Sequence, residues 1–161
     1  MPKPKPIKIA IAGLGRAGWG MHPRELEGKD KMFTIVAGCD IIKDRRDKFA
    51  EKFGCPAYRD YTAMLKDPNI ELVSIATRSP DHVPHALAAL KAGKYVFLEK
   101  PIATSYTEAK KLKPAAAKAK GRLFIRHNRR FEPGFLHVRE IIASGILGDV
   151  YQIKLARLGY S

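Results

Sequence analysis

The stretch from Ile7 to Gly18, IKIAIAGLGRAG, constrains the fold more than any other part of the chain. A run of apolar residues, β-branched at three positions, passes directly into Gly13-x-Gly15-x-x-Gly18. The physical reading is a buried strand, a tight turn and a helix start. Gly13 permits the turn, Gly15 has no side chain to keep a pyrophosphate off the backbone, and Gly18 lets the helix pack closely on the strand. The free N–H groups at such a helix start carry partial positive charge and suit a phosphate anion. Gly13, Leu14, Gly15, Arg16, Ala17 and Gly18 are therefore candidate cofactor-binding residues. The glycine spacing alone is a weak signal, so the rest of the chain has to support it.

Strand and helix patterns alternate after the glycine loop. A helix is expected to about Leu26, a strand over Phe33–Cys39, and an amphipathic helix over Lys43–Phe53 that Gly54 stops. A short helix over Tyr61–Lys66 precedes a buried strand at Leu72–Ala76. Ser79 is placed to cap the next helix, with Pro80 at its first position, and Gly93 ends that helix. Tyr95–Leu98 reads as a strand. Thr107–Lys120 reads as a helix that Pro114 should kink or break. Leu123–His127 reads as a strand and Phe135–Ala143 as a helix. The repeated β-α-β order argues for an α/β doubly wound parallel sheet of the Rossmann type. Val150–Leu158 alternates instead like a half-exposed strand. Residues 1–147 are expected to form one domain, and 148–161 to open a second, truncated one.

At 161 residues with 45% hydrophobic content, the chain can build a real core. No apolar run reaches the roughly 18 residues needed to span a membrane, and MPKPKP carries no apolar signal segment. Cys39 and Cys55 lack metal or CxxC spacing and read as reduced thiols of a cytoplasmic protein. No metal site is expected. The net charge of +14 raises the question of a polyanionic partner. The basic residues are spread over most segments, and no DNA- or RNA-binding signature accompanies them, so nucleic acid is disfavoured.

Asp40 ends the second strand, 22 positions after Gly18. A carboxylate there can accept from both hydroxyls of an adenosine ribose and would repel a 2′-phosphate; a loop or helix-cap aspartate is the alternative. Arg45 and Arg46 could reach a 2′-phosphate, or lie solvated on a helix face. This favours NAD, with NADP also admissible. Thr77-Arg78-Ser79-Pro80-Asp81-His82 leaves the C-terminal end of a strand, where open α/β sheets bind ligands. His82 could build the site wall there or simply be a polar helix-start residue, and His85 reads as surface or packing. Glu99-Lys100-Pro101 leaves the Tyr95–Leu98 strand. Lys100 can hold a substrate hydroxyl or supply a proton, and a cis bond before Pro101 is admissible.

GLGRAG, the strand-end Asp40, ATRSPDH, HALAALKAGKYVFLEKP and HNRRFEP occur together and in this order. In this the chain resembles the glucose–fructose oxidoreductase / inositol dehydrogenase / MocA (Gfo/Idh/MocA) family over nearly all of residues 7–155. The resemblance implies an N-terminal Rossmann domain that binds NAD or NADP, and a second α/β domain often used for homo-oligomerisation. It implies oxidation or reduction of a sugar, cyclitol or related polyol. It places Gly13 to Gly18 at the pyrophosphate, Asp40 at the ribose, and Thr77, Pro80 and His82 beside the cofactor. Glu99 and Lys100 match the EKP motif, whose lysine contacts substrate and nicotinamide ribose, so Lys100 is the catalytic candidate. Asn128 and Arg129 match a segment that approaches the nicotinamide; a polar strand exit is their other reading. Arg78 departs from the proline or small residue more usual in the family. SGILGDVYQIK resembles the passage into the second domain, whose aspartate–histidine pair supplies the base in the family. The expectation is a chain that binds NAD but turns over nothing alone. A non-catalytic dinucleotide-binding module or partner subunit is the alternative.

Overall fold

The computed structural model describes residues 5–156 and Gly159. These fall into two compact units that divide between Arg126 and His127.

The first unit is built on a parallel six-stranded sheet in the order β3-β2-β1-β4-β5-β6. Its strands are β1 (Ile7–Ala12), β2 (Phe33–Cys39), β3 (Ala57–Tyr58), β4 (Leu72–Ile75), β5 (Tyr95–Leu98) and β6 (Leu123–Ile125). The helices are α1 (His22–Leu26), α2 (Lys43–Phe53), α3 (Tyr61–Leu65), α4 (His82–Lys91) and α5 (Tyr106–Lys118). Strand order reverses between β1 and β4, whose last residues pair as Ala12↔Ile75, while Ala12 also pairs with Cys39 of β2. Ligands bind in such sheets outside the carboxyl ends of the strands at this reversal.

Alternation along β1 sends its side chains to two different cores. Ala10 and Ala12 join Val73, Ile75, Val96 and Leu98 under α3, α4 and α5, where Met64, Ala86, Ala89, Leu90 and Leu112 are buried. Ile9 and Ile11 face the other way and pack with Leu14 and Phe49, flanked by Trp19 and Phe53. Phe49 is fully buried because Gly38 makes room for it: a Cβ at Gly38 would stand 2.5 Å from the Phe49 ring. Gly54 ends α2 with φ +60°, as expected of a glycine in that place.

Several local expectations are corrected. The segment after the glycine loop is not one α-helix: Arg16–Met21 is π-helical and only His22–Leu26 is α. Pro23 has no N–H to return to Trp19, and Gly18 and Gly20 add little α preference, so the wider turn wins. Ser79 does not cap α4 with its side chain. It opens a 3-10 turn, Ser79–Asp81, that leads into α4. Pro114 does not end α5, which runs through it. Pro114 and Lys110 are both exposed, so the carbonyl that loses its partner can be solvated. β3 is absent from the sequence reading because two residues are too short to show a period.

In the second unit, a 3-10 turn (Asn128–Phe131) leads into α6 (Pro133–Ala143). The expected strand at Val150–Leu158 is not formed over residues 150–156, which carry no regular structure; Arg157 and Leu158 lie outside the described residues. An alternating pattern becomes a strand only when a neighbouring strand takes its backbone groups, and no such neighbour exists in this unit among the described residues. No helix among the described residues is long and apolar enough to cross a membrane.

Candidate functional site

The glycine loop is shaped by close approaches on two of its three glycines and by open space at the third. Gly13 takes φ +85°, and a Cβ there would lie 2.6 Å from the Ala76 carbonyl oxygen. A Cβ at Gly18 would stand 1.9 Å from the Gly13 carbonyl oxygen and 3.1 Å from Ile11. Around Gly15 only Arg45 Nη1 comes within 4 Å of the same position, at 3.7 Å. The backbone there faces a hollow of about 290 Å³ lined by Leu14, Gly15, Arg16, Trp19, Arg45 and Lys48. Three cationic side chains around bare backbone make a cradle for an anion. The donor chemistry and the space both fit a dinucleotide phosphate.

Asp40 is 8% exposed and stands at the end of β2. Its Oδ2 accepts the Leu14 N–H at 2.8 Å, and its Oδ1 accepts the Ile42 N–H at 2.9 Å. Arg45 Nη1 adds a contact to Oδ2 at 3.3 Å. A carboxylate offers about four acceptor sites, so one remains free, and a second is released if the half-exposed Arg45 swings out. Arg45 and Arg46 are thus not idle on a helix face. Arg45 pairs with Asp40, and Arg46 donates to the Asp40 backbone carbonyl at 2.8 Å. Neither contact is signalled in the sequence beyond the nearness of the residues.

Across the reversal point, two loops follow β4 and β5. His82 is 2% exposed. Its Nδ1 lies 2.7 Å from the Pro101 carbonyl and its Nε2 lies 3.1 Å from the Thr77 carbonyl, so it joins the two loops. The Thr77 hydroxyl bonds His85 Nδ1 at 3.1 Å, and His85 stacks on Tyr61 with centroids 4.2 Å apart. Burial lowers the His85 pKa. Pro80 is exposed, and Arg78 pairs with Asp81 at the surface. The Lys100–Pro101 bond is cis. The Lys100 side chain is exposed.

Glu99, by contrast, is 6% exposed and fully engaged. Its Oε1 takes His22 Nε2 at 2.9 Å and Arg126 Nη1 at 3.0 Å, and its Oε2 accepts the Lys100 N–H at 3.0 Å. Burial alone would raise the Glu99 pKa. The His22 hydrogen bond, the Arg126 charge and the Lys100 N–H outweigh it, and the net shift is downward. His22 is itself held by Ser74 Oγ at 2.6 Å from Nδ1, and Arg126 also pairs with Glu25. His22, Ser74 and Arg126 are absent from the sequence reading. His22 and Arg126 are 77 and 27 residues from Glu99, and no local pattern links them.

Asn128 and Arg129 lie in the second unit. Both are exposed on its 3-10 turn, with Arg129 paired to Glu132 at 2.8 Å. Cys39 is a free, buried thiol whose pKa burial and the neighbouring Asp40 and Asp60 push up to about 12, so it is no nucleophile at neutral pH. Among the described residues no group of His, Cys, Asp or Glu is placed to hold a metal. The larger hollow of the first unit, about 720 Å³, is separate from the glycine-loop cradle. It lies over the apolar sheet face of Ile7, Ile9, Ile11, Leu72 and Phe97, and His22, Ser74 and Glu25 also line it.

Residues 7–127 match the family described as oxidoreductases with an NAD-binding Rossmann fold (GFO_IDH_MocA). The inositol 2-dehydrogenase of Salmonella typhimurium is 34% identical over 146 residues, which is 89% of this chain and 43% of that protein. A scyllo-inositol 2-dehydrogenase (NADP(+)) of Bacillus subtilis is 32% identical over 94% of this chain and 42% of its own length. Among solved structures, scyllo-inositol dehydrogenase from Lactobacillus casei with bound NAD(H) and scyllo-inositol superposes with a TM-score of 0.82. Its identity is 27%, over 90% of this chain and 43% of that one. The chain spans less than half the length of these relatives.

Proposed function

The chain belongs to the Gfo/Idh/MocA family of NAD-binding Rossmann oxidoreductases, and we propose that it is the cofactor-binding portion of a dehydrogenase acting on a cyclitol, sugar or related polyol hydroxyl. The observation that carries this reading is the pairing of open backbone at Gly15 with a buried Asp40 at the adjoining strand end. The glycine loop holds the pyrophosphate, and the Asp40 carboxylate accepts from the adenosine ribose. Thr77, Pro80 and His82 build the wall beside the cofactor, while Asn128 and Arg129 approach its nicotinamide end. When bound, the nicotinamide supplies the hydride acceptor.

Lys100 holds the substrate oxygen. An exposed ammonium on a fixed backbone can make a charge-assisted bond to a carbinol oxygen and orient it. The base that removes the hydroxyl proton is supplied by a second domain. We read 148–161 as the opening of that domain, which also assembles the protein into a homo-oligomer in the cytoplasm. The chain by itself binds the dinucleotide and has no turnover. A non-catalytic module is the second reading, supported by the same cradle.

NAD is the cofactor this reading prefers, because Asp40 repels a 2′-phosphate. Arg45 works against that preference by neutralising Asp40. Arg45→Ala should therefore hold or tighten NAD binding and weaken NADP binding. Titration calorimetry of both dinucleotides against both proteins checks it. Binding of neither by the unaltered chain removes the proposed function, and tighter NADP binding in the variant removes the assignment of Arg45.

A further inference from the structure

We propose that His22 is a positioning residue for Lys100, acting through the Glu99 carboxylate, and that it couples the phosphate-binding loop to the lysine. The inference rests on the reading of Lys100 as the group at the nicotinamide end.

Lys100 is fixed by its backbone, not by its side chain. On one side its N–H donates to Glu99 Oε2 at 3.0 Å. On the other, the carbonyl of Pro101 faces His82 Nδ1 at 2.7 Å. A carboxylate that accepts from its own neighbour's N–H has its rotamer set by what holds the other oxygen. Here that oxygen meets His22 Nε2 and Arg126 Nη1. The His22 ring is oriented in turn by Ser74 at Nδ1. With Ser74 donating, the ring carries its proton on Nε2 and directs it toward Glu99, so every member of the chain is satisfied. All four side chains are nine-tenths or more buried, with His22 and Ser74 at the edge of the larger hollow, and burial strengthens the hydrogen bonds that join them.

The position of His22 in the chain gives this network a second property. It follows directly on the π-helical stretch Arg16–Met21 that leaves the glycine loop. A shift of that stretch on anion binding reaches Glu99 through one side chain, and Lys100 through one more bond. Two cofactor-contacting loops on different strands are thereby set by one buried pair.

The order Ser74–His22–Glu99 is also that of a nucleophile, a base and an orienting acid. It has no route to acyl transfer, because β4 is hydrogen-bonded on both sides, to β1 and β5. Its N–H groups are spent in the sheet and cannot serve an oxyanion.

The test compares two ligands on the same chain, NADH and ADP-ribose, by calorimetry. ADP-ribose reports the adenosine and phosphate contacts alone. His22→Leu should weaken NADH by roughly three- to tenfold while leaving ADP-ribose unchanged. Its effect on NADH should not add to that of Lys100→Met. His22→Gln, which can still offer an N–H to Glu99, should restore much of the loss. Glu99→Gln must turn an amide N–H₂ toward either Lys100 N–H or the His22–Arg126 pair, so it should reproduce the NADH-selective loss; it carries the comparison if His22→Leu does not fold. Equal weakening of both ligands, or full additivity with Lys100→Met, overturns the proposal and leaves a purely structural network. If NADH binds the unaltered chain no better than ADP-ribose, the reading of Lys100 falls first and this inference falls with it.

Discussion

Gly15 and Gly18 are three residues apart and bear opposite constraints. Adding a methyl at Gly18 drives it to 1.9 Å from a backbone oxygen that cannot move without opening the turn. Gly18→Ala should cost more than about 3 kcal/mol, above the usual range for overpacking because the clash is with main chain. Gly15→Ala meets nothing closer than 3.7 Å. It should fold normally, with an unchanged denaturation midpoint, yet lose dinucleotide affinity because the methyl occupies the space a phosphate needs. Urea melts paired with NADH titration separate the two. Glu99 offers a pH test at the same scale. Its folded pKa lies below its ordinary value, so its contribution to stability is present above the unfolded carboxylate range, near pH 4.3. That contribution is lost as pH falls through the folded value. Glu99→Gln should flatten the acid limb of the stability–pH curve below about pH 4.5 and lower stability at neutral pH. An unchanged acid limb would show that Glu99 is not the titrating group. The close packing at Gly13 and Gly18 and the open backbone at Gly15 were legible because one short segment carries them. The roles of His22 and Arg126 were not, since their partner lies 77 and 27 residues away.

At the scale of elements, the rules that worked were the ones that act within a few residues. Gly54 ended α2 and the apolar runs became β1, β2, β4 and β5. Where a local rule failed, solvent or tertiary pairing had overridden it. Pro114 is the clearest instance: it and Lys110, whose carbonyl it deprives, are both exposed residues, and α5 continues through it. The missing hydrogen bond still has a cost. Pro114→Ala should restore it and stabilise the first unit by up to about 3 kcal/mol, the helix-interior difference between the two residues, read as a rise in Tm with no change in NADH affinity. β3 illustrates the opposite limit. It exists because Gly38 and Cys39 of β2 pair with Ala57 and Tyr58, and no periodicity can reveal a two-residue strand. The expected strand after Val150 shows the same dependence from the other side, since its pattern is present and no partner strand lies in its unit among the described residues.

For the whole molecule, the doubly wound parallel sheet was recoverable from the alternation of strands and helices, while the strand order and its reversal point come from the structure. The charge of +14 is a property of the whole chain rather than of one patch. It should produce DNA binding that is weak and falls steeply with salt, while NAD binding, confined to one cradle, changes far less between roughly 50 and 200 mM salt. A filter-binding series in DNA beside a thermal-shift series in NAD distinguishes them; a ligand at about a hundredfold its Kd should add about 2.7 kcal/mol to stability. Saturable, salt-resistant DNA binding would overturn the assignment of the charge to general surface.

Asp40 is asked to serve two masters. The carboxylate offered to the ribose is the same one that pins the Leu14 N–H of the glycine loop from inside the protein. A descendant that exchanged Asp40 for a residue friendlier to NADP would strip a buried donor of its acceptor before it gained a new cofactor. The evolutionary route between the two cofactors therefore keeps Arg45, whose charge offsets the carboxylate without unfastening the loop, and reaches Asp40 only after another acceptor has been found for Leu14.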